Sequence, residues 1–242
     1  MSSPALDILA IAAHRDDVEQ TCGGTLLKMA QLGYRTGILD LTRGEMGTRG
    51  TAQDREREAA DAARILRVSW RDALDIPDGG VENTFANRVK VATVIRAHRP
   101  RVVILPYWKG RHPDHYTAST LGYEACFIAG LAKLTVEGKE TGPHRPFKIV
   151  YATLYYDVRP SFVVDISEQF EARLESILAY RSQFSDQEAG SKDFPALAEI
   201  RDRIHAMARF YGLLAGVKYA EPFFQKEVGL VEDLLEIPVK SI

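Results

Sequence analysis

The 242-residue chain carries 31 basic and 33 acidic side chains, a net charge of −2 with the histidines neutral. A balance this close favours neither a nucleic-acid partner nor a membrane surface, and the length suits one sizeable α/β domain. Two distant cysteines, Cys22 and Cys126, argue against a disulfide framework. With no basic-flanked apolar leader and no apolar run of about 18 residues, a soluble cytoplasmic protein is expected.

Strand and helix signals alternate through the first two thirds. Ile8 to Ala13 is apolar without alternation, as in a strand buried on both faces, and Thr25 to Leu32 is an amphipathic helix stopped by Gly33. A second strand, Thr36 to Leu41, precedes an Ala-, Arg- and Glu-rich helix over Asp54 to Leu66. Asp72 to Ile76 reads as a short strand closed by Pro77-Asp78-Gly79-Gly80, and Asn83 to His98 as a helix ended by Arg99-Pro100. Strand Val102 to Leu105 and helix Asp114 to Ala132 complete the repeat. This alternation predicts a single Rossmann-like α/β domain over 1–242, with a mainly parallel sheet and helices on both faces. Residues 1–135 form its βα core.

The last third, from 147 to 242, differs. Gly138 to Pro146 is a polar connection. Ile149 to Tyr156 and Phe162 to Ile166 read as strands joined at Arg159-Pro160. Ile166 to Ser182 and Ala196 to Tyr211 read as helices around a Gly/Ser/Asp-rich loop at 185–193. The tail after Pro222 is apolar and acidic by turns, suited to packing on the core or on another subunit.

Two strand ends carry the chemistry. The first strand runs into His14, Asp16 and Asp17, followed by Gly23-Gly24-Thr25. His14 and Asp17 are three apart, so a helical turn brings both to one side, while Asp16 must point elsewhere. One carboxylate can then hold a metal while its neighbour faces the water on it; a solvated acidic turn is the plain alternative. The later strand ends in Arg111-His112-Pro113-Asp114-His115, with Pro113 suited to a first helical turn. Together the clusters offer a His/Asp/His set with spare acid–base groups, and three N/O ligands with an open fourth position is the catalytic zinc pattern. Open α/β sheets bind ligands at such strand ends. His98, His144 and His205 read as structural or surface residues, Cys22 as packing, and Glu19 as a solvated carboxylate at a helix start.

His-Arg-Asp-Asp with Gly-Gly-Thr, and Arg-His-Pro-Asp-His, resemble the zinc-dependent de-N-acetylases of the PIG-L/LmbE group. The segments 41–51, 180–184 and 216–223 are similar to the branch that acts in bacillithiol biosynthesis, so the resemblance spans nearly the whole chain. Arg15 stands where many members have proline. The resemblance implies Zn²⁺, or another divalent ion such as Fe²⁺, held by His14, Asp17 and His115. It implies Asp16 as general base, a protonated His112 as oxyanion donor, and Asp114 orienting His112. It brings Arg55 toward the substrate, with Arg43 and Arg49 as further partners for a carboxylate; pairing with Glu45 and Asp54 is their alternative. The implied substrate is a small N-acetylated sugar, N-acetylglucosaminyl malate, and the implied assembly a homo-oligomer, often a hexamer in related enzymes. A metal-dependent phosphoesterase and a non-catalytic metal module remain the rival readings. No His-Glu-x-x-His, Gly-x-Gly-x-x-Gly or Gly-x-Ser-x-Gly motif sits at these strand ends.

Overall fold

The first strand lacks alternation because each of its faces meets a different core. In the computed structural model, which describes residues 5–136, 142–153, 157–184 and 197–239, β1 covers Ile8–Ala12. Leu9 and Ile11 join one apolar cluster; Ile8, Ala10 and Ala12 join another. A strand between two helical layers has no wet face.

The chain continues with α1 (Asp17–Gln31), β2 (Thr36–Asp40), α2 (Ala52–Ile65), β3 (Trp70–Ala73), α3 (Phe85–His98), β4 (Val102–Pro106) and α4 (Pro113–Ala129). Then come β5 (Lys148–Ala152), β6 (Phe162–Asp165), α5 (Phe170–Leu178), α6 (Arg181–Phe184), α7 (Leu197–Ala215) and β7 (Ala220–Phe224). They build one seven-stranded sheet in the order β3-β2-β1-β4-β5-β7-β6. β1 through β5 pair in parallel, whereas β7 runs antiparallel to both β5 and β6. Val91, Ile95, Leu121 and Ala125 bring α3 and α4 onto one face, and Val18 and Leu26 bring α1 onto the other.

Local signals set the helix starts. Thr51 and Asp54 form a reciprocal capping box on α2, and the Thr84 hydroxyl accepts from Asn87 N on α3. At α4 the cap is His112, whose Nδ1 accepts from Asp114 N at 3.2 Å, with Pro113 in the first turn.

The alternating core and its parallel sheet match the reading of the sequence. The first helix, however, begins at Asp17 rather than Thr25, so Asp17 lies in the helix while His14 and Asp16 precede it. The strands expected at 149–156 and 162–166 do not pair with each other; β7, which the sequence reading did not mark as a strand, lies between them. The helix expected over Ile166 to Ser182 is two, α5 and α6. Tyr156, Ala196, the loop at 185–193 and part of the 138–146 connection lie outside the described residues. Phe223 and Phe224 are buried in the core, while Val228, Leu230 and Leu235 beyond them are 98%, 89% and 91% exposed. No helix among the described residues is long and apolar enough to cross a membrane.

Candidate metal centre

The strand order reverses between β1 and β4, which lie side by side in parallel. At such a reversal the connections leave in opposite directions and open a crevice beyond the carboxyl ends of the strands. His14 follows β1 there, and His112 to His115 follow β4. That juxtaposition brings residues a hundred positions apart into contact.

Three donor groups meet in the crevice. His14 Nδ1 lies 3.2 Å from His115 Nε2 and 3.5 Å from Asp17 Oδ2, and His115 Nε2 lies 3.2 Å from Asp17 Oδ1. Zinc–ligand bonds of about 2.0–2.1 Å at tetrahedral angles require donor separations of about 3.3 Å. The spacing fits such an ion. His112 joins His14 and His115 in a group whose donor atoms all lie within 4.8 Å.

The other nitrogen of His14 is held from behind. His14 Nε2 lies 3.1 Å from both Asp78 Oδ1 and Asp114 Oδ2. Asp114 also accepts from Gly79 N at 2.9 Å and Val81 N at 3.3 Å. Asp114 is thus anchored by backbone donors, and Asp78 and Asp114 together hold His14 from behind. This corrects the sequence-based pairing of Asp114 with His112. Asp78 was read only as part of a turn; its position after β3, on the same sheet edge as His14, was the available signal.

The charges follow the contacts. Burial of the His14 ring opposes its charge, but the Asp17 and Asp78 carboxylates outweigh it and raise it to about 11. His115 is likewise raised against burial by Asp17. Asp17, despite burial, is held well below the carboxylate range by His115 and His14. The same carboxylate that favours a proton on each ring favours a dication between them, and metal binding to histidine competes with that proton. His112 moves the other way, lowered by burial and by the neighbouring His14 and His115. Its Nδ1 caps α4 as an acceptor, so the geometry gives a neutral ring with Nε2–H free to donate, not the protonated ring expected.

Asp16 stands apart from the triad. Its Oδ1 accepts from Arg55 Nη2 at 3.0 Å and its Oδ2 from Gln20 Nε2 at 3.3 Å. Burial raises it to about 7 against the pull of Arg55, within the range that suits a general base. Its backbone is left-handed, φ 100°, a strained state for a residue with a side chain that persists only where the surroundings fix it. Arg55 supplies part of that restraint by also donating to the Arg15 carbonyl. Gly44, at φ +72°, lets the loop fold over the guanidinium: a Cβ there would meet Arg55 Nε at 2.9 Å.

The expected arginines therefore separate. Arg55 is buried and engaged with Asp16 rather than turned to a substrate, and Arg15 is buried with a bond to Ala52 O. Arg43 is exposed and Arg49 half-buried. Glu45 accepts from Arg43 N, and Asp54 pairs with Arg57. A cavity of about 580 Å³ opens beside the triad, lined by Asp17, His112 and His115 and by Lys109, Arg111 and Arg203. Arg43, Arg49 and Arg55 do not line it. Glu19, expected in solvent, is fully buried between Arg71 Nη1 at 2.5 Å and the Tyr180 hydroxyl at 3.2 Å. His98 packs on Trp70, His144 bonds Pro100 O and His205 bonds the Tyr219 hydroxyl; all three lie outside the metal cluster.

The model of a family described as PIG-L, GlcNAc-PI de-N-acetylase, matches residues 9–126. Diacetylchitobiose deacetylase of Thermococcus kodakarensis is 34% identical over 225 residues, covering 88% of this chain and 80% of the relative. The structure of conserved protein TT1542 from Thermus thermophilus superposes with a TM-score of 0.83 at 42% identity, covering 94% of this chain and 98% of that one. The 4-oxalmesaconate hydratase of Pseudomonas putida is 25% identical over 203 residues, 76% of each chain. Sequence, fold and relatives agree: the chain belongs to the PIG-L, or LmbE-like, deacetylase family.

Proposed function

We propose that the protein is a zinc-dependent deacetylase of N-acetylglucosamine derivatives, with His14, Asp17 and His115 as the ligands. The observation that carries this reading is the 3.2 Å approach of His14 Nδ1 to His115 Nε2, with the two oxygens of Asp17 divided between them at 3.5 and 3.2 Å. When bound, the ion lowers the pKa of a water from 15.7 to about 7 and polarises a carbonyl. Asp16 takes the proton of the attacking water as its oxygen adds to the acetamide carbon. His112 Nε2–H donates to the developing oxyanion, a contribution of about 3–4 kcal/mol for a well-placed donor. Asp16 then passes the proton to the departing amine, leaving acetate and a free amino sugar.

For the substrate itself we propose N-acetylglucosaminyl malate. Lys109, Arg111 and Arg203 support it, because three cations on the cavity wall suit a ligand with carboxylates. Its kcat/KM should exceed those of N-acetylglucosamine and diacetylchitobiose, and charge removal at Arg111 and Arg203 should lower only the malate value. Arg55→Ala, by contrast, should slow all three through Asp16. Equal specificity constants for the three compounds would reduce the proposal to a general N-acetylsugar deacetylase.

The hydratase among the relatives favours a second reading, since an activated water can also add to a double bond conjugated with carboxylates. Acetate release separates the two, as hydration releases none. We further propose a cytoplasmic homo-oligomer. Buried free Cys22 and Cys126 support the compartment, and the exposed Val228, Leu230 and Leu235 support association. Sedimentation at micromolar concentration should give a species larger than the 27.0 kDa chain; a monomer alone would refute the assembly.

A further inference from the structure

Helix α1 is not continuous. Cys22 has φ −147° and ψ 18°, so a short segment from Asp17 to Thr21 meets a longer one starting at Gly23. A break in a buried helix leaves carbonyls without partners on one side and N–H groups without partners on the other. Both sets are met by one ion pair from the far end of the chain. The Glu221 carboxylate, on β7, accepts from Gly24 N at 2.8 Å and Thr25 N at 2.7 Å. The Arg173 guanidinium, on α5, donates to Glu19 O at 3.2 Å and Gln20 O at 2.5 Å. Arg173 Nε and Glu221 Oε1 lie 2.9 Å apart, with the two residues 6% and 1% exposed.

We propose that Arg173 and Glu221 are positioning residues for Asp17. Their ion pair holds α1 broken, so that the segment carrying the ligand turns its carboxylate to His14 and His115 while the rest of the helix stays on the sheet. The buried Glu19–Arg71 pair fixes that segment from its other side, and Arg71 also grips Asp40 at the end of β2. Gly24 belongs to the same device: a Cβ there would meet Ile166 at 2.9 Å and Glu221 Oε1 at 3.0 Å. Residues 173 and 221 lie beyond the 9–126 match to the family model. The inference rests on His14, Asp17 and His115 binding a metal, and not on which bond the site cleaves.

The test is metal binding by the purified full chain. Zn²⁺ affinity is read by competition with a chelating dye, and ligand geometry by the visible bands of the Co²⁺-loaded protein. Glu221→Gln and Arg173→Met should each weaken Zn²⁺ about 10–100-fold, as losing support behind a ligand does, and should change the Co²⁺ bands while unfolding stays cooperative. Arg96→Met is the control. Arg96 is a buried arginine on the Ala129, Leu131 and Leu134 carbonyls, so its loss should lower Tm and leave both readouts unchanged. If the charge variants do not fold, Gly24→Ala keeps both charges and crowds Glu221, and is expected to weaken Zn²⁺ likewise. Unchanged affinity and bands in the folded variants would overturn the positioning role alone. Failure of Zn²⁺ to bind the unsubstituted chain would overturn the metal site, and this inference with it.

Discussion

Replacing His14, Asp17 or His115 with alanine is expected to abolish bound zinc and turnover together. His14 and His115 meet at 3.2 Å, and each lies 3.2–3.5 Å from one of the two Asp17 oxygens, so each residue faces the other two. A site with three protein ligands has none to spare, so the loss should exceed the roughly 10–100-fold that removing an outer-shell partner costs. Elemental analysis of the purified variants decides the matter: full zinc occupancy in any of the three would remove that residue from the ligand set.

Asp16→Asn should separate chemistry from binding. The Asp16 carboxylate spends its hydrogen bonds on Arg55 and Gln20 rather than on a triad residue, so the amide variant should keep its metal. An amide cannot accept the proton of the attacking water, and kcat should fall by about 10²-fold or more. KM should change little if the left-handed backbone at Asp16 survives. Zinc missing from this variant would show that Asp16 and Asp17 exchange roles.

The residues that meet at the candidate site were legible because two short motifs at strand ends each keep His and Asp three residues apart or closer, and a parallel sheet sets those ends side by side. The support around them was not. Asp78 sits in a Pro-Asp-Gly-Gly turn, a pattern that explains itself without a function. Glu19 and Arg55 find their partners through the tertiary fold: Glu19 in Arg71 and Tyr180, Arg55 in Asp16. Nothing local marks a buried ion pair of that kind. β7 escaped notice because Pro222 lacks the N–H a ladder requires, which reads against a strand; here it stands opposite Val163 of β6. The start of α1 was placed late, at Thr25, because its first turn, Asp17 to Gln20, is mostly polar.

The place of β7 also governs the order in which the molecule can be made. Synthesis delivers His14, Asp17 and His115 long before Ala220–Phe224, yet that last strand fills the gap between β5 and β6. Until it arrives, the nascent chain holds all three proposed donors beside a helix whose break has no carboxylate to cap it, and β5 presents an unpaired edge to its neighbours. Domains fold as units, so a polypeptide stalled shortly before residue 220 would carry His14, Asp17 and His115 without the Glu221 carboxylate that caps the break in α1.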